Sequence, residues 1–379
     1  MKETQATQNQ NTAKQAVLYM SFELGSKEWK LTFGDGANNP RGAKVPSWDK
    51  VGVQREVEKA RKKFGLPEGV RLLSVQEAGR DGFSVHRFLE SERIESLVVD
   101  SASIELPRRG KHRKTDRLDG ESLLRMLIRY DHGEKKAFRV LHVPSEETES
   151  LRHTQRELKR LKKERAGLTN RMRSLLVTQG IRAGKVDRKF LMKLQDLRVW
   201  NGEPLSRPLL EELLRDYERW ELLQTQIGVI EASRRKELKE KKTKESEKVS
   251  RLMCLKGVGT ESSFPLVREF FWRDFGDRRE VASAAGLTPT PFMSGTINRE
   301  QGISKAGNSR IRTLMIELAW MWRRHQPHSK LTRWFEERFG KGGKRMRRVG
   351  IVALARKLLV AFWRYLEEGI VPEGAVFSA

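Results

Sequence analysis

Cysteine is almost missing from this 379-residue chain, with Cys254 its sole representative. One thiol makes no internal disulfide, and no Cys pair exists to hold a structural zinc, so a reducing, cytoplasmic setting is expected. No stretch approaches 18 uninterrupted apolar residues, which argues against a membrane helix. Met1 to Gln15 is polar, lacks the apolar segment of a signal peptide, and reads as a disordered tail. Acidic residues are also scarce: 50 Asp and Glu face 76 Lys and Arg, a net charge of +26. Such a surplus repels itself and attracts polyanions, so nucleic acid is the first partner to consider, and an acidic protein is the less economical one. What is present makes wholesale disorder untenable. Nine Trp, 16 Phe and 10 Met supply apolar bulk for cores, and the length allows two or three domains of roughly 100 to 200 residues.

Three patterns follow one another. Over 16–145, short β-rich runs (AVLYMSFEL, EWKLTF, VRLLSVQ, SLVVD) alternate with helix-period stretches such as VQREVEKARKKF, predicting an α/β domain. Gly25-Ser26-Lys27 between the first two runs reads as a hairpin turn, so the sheet is expected to be mixed. Over 146–250, Leu151, Leu158, Leu161, Leu168, Met172 and Leu175, then Leu213, Trp220, Leu223, Ile227 and Ile230, follow the a/d spacing of a coiled coil. The segment from Gly180 to Pro208 breaks the pattern and lets two long helices fold back on each other. Their outer faces are charged, at Lys159 to Arg165 and at Arg234 to Lys244. Such a run reads equally as a solvated face or a nucleic-acid surface. Over 251–370 the composition is globular and mainly helical, with apolar stripes at Ile311, Leu314, Met315, Leu318 and Trp322 and at Leu354, Ala355, Leu358, Leu359 and Phe362. Leu255 to Thr260 resembles the Gly-containing turn of a helix-hairpin-helix. Gly340 to Arg348, GKGGKRMRR, carries Lys341, Lys344, Arg345, Arg347 and Arg348 and suits a phosphate-tracking loop.

Carboxylates at the ends of buried strands are the informative feature of the first region. Glu23 closes the first run and Glu77 closes VRLLSVQ, while Asp116 and Asp119 stand three apart at a helix start and share a face. By themselves the two aspartates read first as helix-start acids. Four converging acids repel one another unless a cation sits among them, and Mg²⁺ accepts a few carboxylates plus phosphate oxygens. The second feature is Ser294-Gly295, followed by Arg299, Lys305, Arg310 and Arg312. A serine hydroxyl needs activation and nearby cations to attack a phosphodiester, although composition alone reads this stretch as a loop. His325 and His328 lack a third ligand at suitable spacing. Trp322 falls on an apolar stripe and reads as core.

Glu77-Ala-Gly, Lys114-Thr-Asp-Arg-Leu-Asp119, Ala285-Gly-Leu-Thr-Pro and Ser294-Gly, then Gly302-Ile-Ser-Lys-Ala-Gly-Asn-Ser-Arg-Ile-Arg312, in this order around a coiled coil, resemble the DEDD transposases of the insertion-sequence one-ten family. The resemblance spans about residues 16 to 365. It implies a RuvC-like, RNase H-fold N-terminal domain and a C-terminal transposase domain with a serine nucleophile. It also implies a homo-oligomer, dimer or tetramer, acting on donor and target DNA in a prokaryotic cytoplasm under an element-encoded bridge RNA. By position, Glu23, Glu77, Asp116 and Asp119 would be the Mg²⁺-binding acids and Ser294 the nucleophile. One residue departs from the pattern: the family's first acid is usually Asp, in an Ile-Asp-Val-Ser-Lys-like run, where this chain reads Ser21-Phe-Glu23-Leu-Gly-Ser-Lys27. Glutamate keeps the oxygens and adds one methylene.

The leading expectation is therefore a guide-RNA-directed DNA recombinase that cuts and rejoins through a phosphoserine. No G-x-x-x-x-G-K-[ST] is present, so exchange is expected to run without ATP. Two alternatives stand beside it: a junction-resolving nuclease whose acids activate water, and an inactive nucleic-acid-binding scaffold. A covalent protein–DNA adduct separates the first from both.

Overall fold

The computed structural model describes residues 16–104, 116–182, 184–240, 242–294 and 297–378. The expected tail, Met1 to Gln15, lies outside them. The chain divides into two compact units, Met1–Val143 and Pro144–Ala379.

In the first unit, β1 (Val17–Leu24), β2 (Glu28–Gly34) and β3 (Arg41–Pro46) form an antiparallel meander, followed by α1 (Lys50–Lys63), β4 (Arg71–Glu77), α2 (Gly82–Ser91), β5 (Glu95–Val99) and α3 (Asp116–Asp131). The strand order is β3-β2-β1-β4-β5. β1 runs antiparallel to β2 and parallel to β4, which is parallel to β5. The sheet is thus mixed, as the Gly25 turn implies. Alternation along the strands sorts the core into two layers. Leu18, Met20 and Phe22 pack with Val53, Val57, Val85 and Leu89 from α1 and α2, while Tyr19, Leu73, Val75 and Val99 pack with Leu123, Leu124 and Leu127 from α3. Because β1 is covered on both faces, it reads as a nearly continuous apolar run.

At the edge where β4 begins, Arg71 ties three elements together. Its Nε and Nη2 donate to the two Glu95 carboxylate oxygens at 2.8 Å each, and its Nη1 donates to Asp131 at 2.9 Å. Tyr19 Oη donates to the other Asp131 oxygen at 2.8 Å. The Arg71 hydrogen bonds hold the Glu95 carboxyl below its ordinary value. A depressed folded pKa contributes stability above the unfolded carboxylate pKa and loses it as pH falls through the folded value. Arg71→Ala should therefore destabilise this unit by about 1 kcal/mol at neutral pH, and by less below about pH 4. Urea unfolding at the two pH values checks this, and an equal loss at both would contradict the assigned pairing.

The second unit opens with α4 (Glu146–Thr178), α5 (Phe190–Asp196) and α6 (Arg207–Glu240). α4 starts on Ser145, whose side chain accepts from the Thr148 N–H, and has three glutamates in its first turn. α4 and α6 form an antiparallel hairpin. Leu158, Leu161 and Ile227 pack together along it, and cross-ties run from Arg171–Asp216 through Arg165–Gln224 to Lys162–Glu231. Pro208 does not interrupt the helices as expected. It occupies the first turn of α6, where a missing N–H is harmless. The break lies in 179–206, where Ile181, Val186, Phe190, Leu194 and Leu205 pack against Leu213, Tyr217 and Trp220 as a small core at the hairpin's end.

There follow α7 (Lys244–Met253), α8 (Thr260–Glu269), α9 (Arg278–Ala284), β6 (Pro289–Ser294), β7 (Ile297–Ile303), α10 (Ser309–His325), α11 (Lys330–Phe335), a π-helical turn at Glu336–Gly340, and α12 (Lys344–Glu367). The predicted stripes of α10 and α12 meet in one core that includes Met315, Leu318, Trp322, Leu354, Leu358 and Phe362. Trp322 is buried and donates its indole N–H to Ser329 Oγ at 2.9 Å. Arg234, expected on a charged outer face, is buried instead: it donates to Gln155 and lies 4.7 Å from the centre of the Phe264 ring. Period reasoning assigns a face relative to one partner helix, and α6 has a second partner in the C-terminal helices. Among the described residues, no helix is long and apolar enough to cross a membrane.

Candidate active site

The parallel register of β1 and β4 ends at Phe22 opposite Gln76. Glu23 and Glu77 are each the next residue, side by side at the carboxyl edge. Their parity matches Tyr19 and Val75, so both lie on the α3 face of the sheet. The course of α3 is fixed by contacts at both ends. Near its start, Ser21 Oγ donates to the Gly120 carbonyl at 2.7 Å, and near its end Asp131 accepts from Tyr19. α3 thus runs antiparallel to β1, and its first turn, carrying Asp116 and Asp119, arrives at the strand edge that bears the two glutamates. Gly120 permits this approach: a Cβ there would stand 2.7 Å from Thr32 Oγ1. The carboxyl edge of parallel strands is where open α/β sheets bind ligands, and the amino end of α3 adds positive potential near the acids.

Glu77 and Asp119 are exposed, and neither makes a salt bridge or side-chain hydrogen bond among the described residues; Glu23 is half-buried. The Asp116 side chain lies outside the described set. Among the described residues, no three His, Cys, Asp or Glu side chains are gathered into a metal-holding group, and His325 and His328 belong to none. Asp100, a further acid just past β5, faces Arg139 at 3.7 Å.

In the second unit, Ser294 is the last residue of β6 and pairs with Ile297 across the hairpin end. The stretch that composition reads as a loop is a two-stranded arm. Pro289 and Pro291 obscure it in sequence, yet both strands of a two-stranded sheet are edges, where proline is tolerated. The side chains of Ser294 and Arg299 lie outside the described set. Arg299 stands opposite Phe292 in β7.

The base of the arm is described in full, and there the two glycine motifs interlock. Asn308 N donates to the Ala284 carbonyl at 2.8 Å, Lys305 N to Gly286 at 3.2 Å and Ser304 N to Thr288 at 2.8 Å. Arg312 Nη1 donates to the carbonyls of Ala285 and Lys305 at 3.2 and 3.0 Å, so its guanidinium braces the arm. Lys305 and Arg310 are exposed, and Arg310 lies 4.0 Å from Glu269. Asn308 caps α10 through the N–H groups of Arg310 and Ile311 and donates its amide to the Glu269 carbonyl. The buried Glu269 carboxylate also accepts two bonds from Arg156 of α4, each 3.0 Å long. Sequence reasoning did not find this tie, because its partners stand 113 positions apart.

The basic run at 340–348 is not a loop. Gly342 and Gly343 break the chain briefly, and Lys344, Arg345, Arg347 and Arg348 form the first turns of α12, since all are good helix formers. These four and Lys341 are exposed. Arg347 donates to the Gly340 carbonyl. Cations at a helix amino end oppose the macrodipole, so a bound anion would relieve them.

An acidic strand edge in one unit, a braced serine arm and an exposed basic helix start in the other, on a chain of net charge +26, describe a protein equipped to handle a polyanion. Residues 249–333 match the family described as "Transposase IS116/IS110/IS902 family". "Putative transposase y4rJ" of Sinorhizobium fredii is 40% identical over 376 residues, covering 95% of this chain and 94% of that one. The "Transposase for insertion sequence element IS1328" of Yersinia enterocolitica is 24% identical over 271 residues, 71% of this chain and 75% of that one. The chain belongs to the IS116/IS110/IS902 transposase family, whose activity is the transposition of an insertion sequence, with DNA bound, cut and rejoined.

Proposed function

We propose that the first unit is a RuvC-like, RNase H-type fold whose Glu23, Glu77, Asp116 and Asp119 hold Mg²⁺, and that Ser294 is the nucleophile of a bridge-RNA-guided DNA recombinase. The strand order, with three antiparallel strands continued by two parallel ones, supports the fold reading. The observation that carries the site is the convergence of Glu23, Glu77 and the first turn of α3 on one strand edge. The donor types fit the ion, being all carboxylate, and two of them, Glu77 and Asp119, are exposed and make no ion pair among the described residues. Bound there, Mg²⁺ would supply positive charge against the acids and a phosphodiester.

In the reaction, the Ser294 oxygen bonds to phosphorus as the bond from phosphorus to the leaving deoxyribose oxygen breaks. The serine proton passes to solvent, and the leaving oxygen takes up a proton to become a hydroxyl. A hydroxyl of a different strand then displaces the serine by the reverse of these steps. The phosphodiester count is conserved, so no nucleotide triphosphate is consumed. Arg299 and Lys305 steady the charge that develops on the phosphoryl group, while Arg310 and the exposed cations of 341–348 grip backbone. A guide that reads the target by base pairing leaves the protein only shape and phosphates to recognise. The acting form in this reading is a homo-oligomer, a dimer or tetramer.

Glu77→Gln and Asp119→Asn should each reduce Mg²⁺-dependent strand cleavage by at least roughly a hundredfold while leaving RNA retention and unfolding midpoints unchanged. Glu23→Asp should keep measurable cleavage, since it returns the family's usual ligand. Full cleavage by Asp119→Asn at low Mg²⁺ would remove the tetrad assignment. Metal-dependent cleavage with no protein–DNA linkage would identify a water-activating nuclease, and no cleavage under any metal an inactive scaffold.

A further inference from the structure

At the end of the α4–α6 hairpin lies a cleft of about 550 Å³ that the transposition chemistry does not use. Four cations line it: Arg165 and Arg173 from α4, and Lys185 and Arg188 from the segment between the helices. Arg173, Lys185 and Arg188 are exposed, and none makes a salt bridge or side-chain hydrogen bond among the described residues. The acid at the cleft, Asp187, is engaged elsewhere, accepting from Lys189 N at 3.0 Å and facing Lys193 Nζ at 3.8 Å. Like charges around a cavity raise one another's energy, and an anion between them removes that penalty.

One aromatic ring, Trp220, lines the cleft, and two buried rings stand behind it. Phe190 stacks on Tyr217 at 5.9 Å and 19°, and Tyr217 on Trp220 at 5.5 Å and 22°. Trp220 ends this stack and lines the cleft. Its indole N–H is satisfied by Thr169 Oγ1 at 3.0 Å, so the ring asks nothing of a ligand but apolar contact. Beside it stands Gln224, whose amide oxygen accepts from Arg165 at 2.6 Å, leaving the NH₂ to donate. A ligand that suits this place is flat and apolar on its face, has acceptors on its edge, and carries phosphate. The volume matches a small organic ligand and is far too small for a duplex.

We propose that the cleft receives one unpaired nucleotide of the nucleic acid this protein handles. Its base extends the Phe190–Tyr217–Trp220 stack, and its phosphates lie among Arg165, Arg173, Lys185 and Arg188. The inference rests on the nucleic-acid-binding part of the reading above and on no part of its catalytic chemistry. Base–aromatic stacking together with backbone contacts accounts for binding of unpaired strands without sequence preference.

The test uses the full-length protein and two short DNA duplexes, identical except that one carries a single bulged 2-aminopurine nucleotide. The wild type should bind the bulged duplex on the order of tenfold more tightly and quench the probe. Arg173→Ala/Arg188→Ala should bring the two duplexes to parity, leave the plain duplex affinity in place, and flatten the salt slope for a single strand by about 1.4, from two contacts of about 0.7 each. Trp220→Phe, which keeps a ring, should retain part of the quenching. Displacement of the probe by single-stranded RNA, by single-stranded DNA or by both supports the site and tells which strand it serves; displacement by neither overturns it. Equal binding of both duplexes by the wild type, or a preference that survives the double substitution, overturns the site while general nucleic-acid binding stands. Failure of the wild type to bind any nucleic acid overturns both.

Discussion

Ser294→Ala is expected to yield a folded protein that no longer becomes linked to DNA, with recombination lowered by roughly a thousandfold or more. Alanine can keep the backbone pairing that Ser294 makes at the end of β6, so unfolding midpoints should not move. Trapping the wild type on a nicked target should give a protein–DNA adduct in denaturing electrophoresis, and Ser294→Ala should give none. Persistent adduct in the variant would identify another nucleophile. Because the acids and the serine belong to different units of the chain, mixing adds a second readout. Ser294→Ala and Asp119→Asn proteins, each inactive alone, should recover part of the activity together if one protomer's serine works with another's acids. No recovery would confine the site to a single chain.

The largest effect on stability should come from Gly307. Its φ of +136° is hostile to any side chain, and a Cβ there would stand 2.4 Å from the Ala284 carbonyl oxygen and 2.8 Å from the Gly286 nitrogen. Neither neighbour can yield, because the same backbone receives the Asn308 N–H and flanks the carbonyl that Arg312 binds. Gly307→Ala should therefore destabilise the second unit by about 3 kcal/mol or more and abolish recombination by releasing the base of the serine arm. Gly302→Ala supplies the control: its φ is +90°, but nothing lies within 4 Å of the added carbon, so only about 1 kcal/mol of backbone strain is expected. Calorimetric unfolding of both variants checks this. Equal shifts would mean that the motifs do not brace each other.

These two sites were legible in different degrees. Glu23 and Glu77 stand out in sequence because a carboxylate ending an apolar strand must sit where the strand leaves the core. Asp116 and Asp119 do not stand out in that way, since acids are common at helix starts. Only the antiparallel course of α3 over β1, held by Ser21–Gly120 at one end and Tyr19–Asp131 at the other, brings the first turn of that helix to the strand edge that bears the glutamates. The serine motif is readable as a motif, yet its strands are masked by prolines. Arg312 reads as one more phosphate-binding cation, whereas its guanidinium is held by two carbonyls of its own chain.

By itself the sequence determined what is periodic or compositional: the mixed sheet, the two long helices, the stripes of α10 and α12, the attraction to polyanions and the motifs of the family. These follow from local alternation and total charge, which each stretch carries wherever it lies in space. The tertiary structure alone decided which charges are free. Arg234 is buried against Phe264, Arg156 grips Glu269, Lys162 and Arg165 tie the helical hairpin, and Arg173, Lys185 and Arg188 are left facing a cleft. A basic residue looks the same in sequence whether its partner is a carboxylate 113 positions away or a phosphate, because an ion pair depends on distance in space.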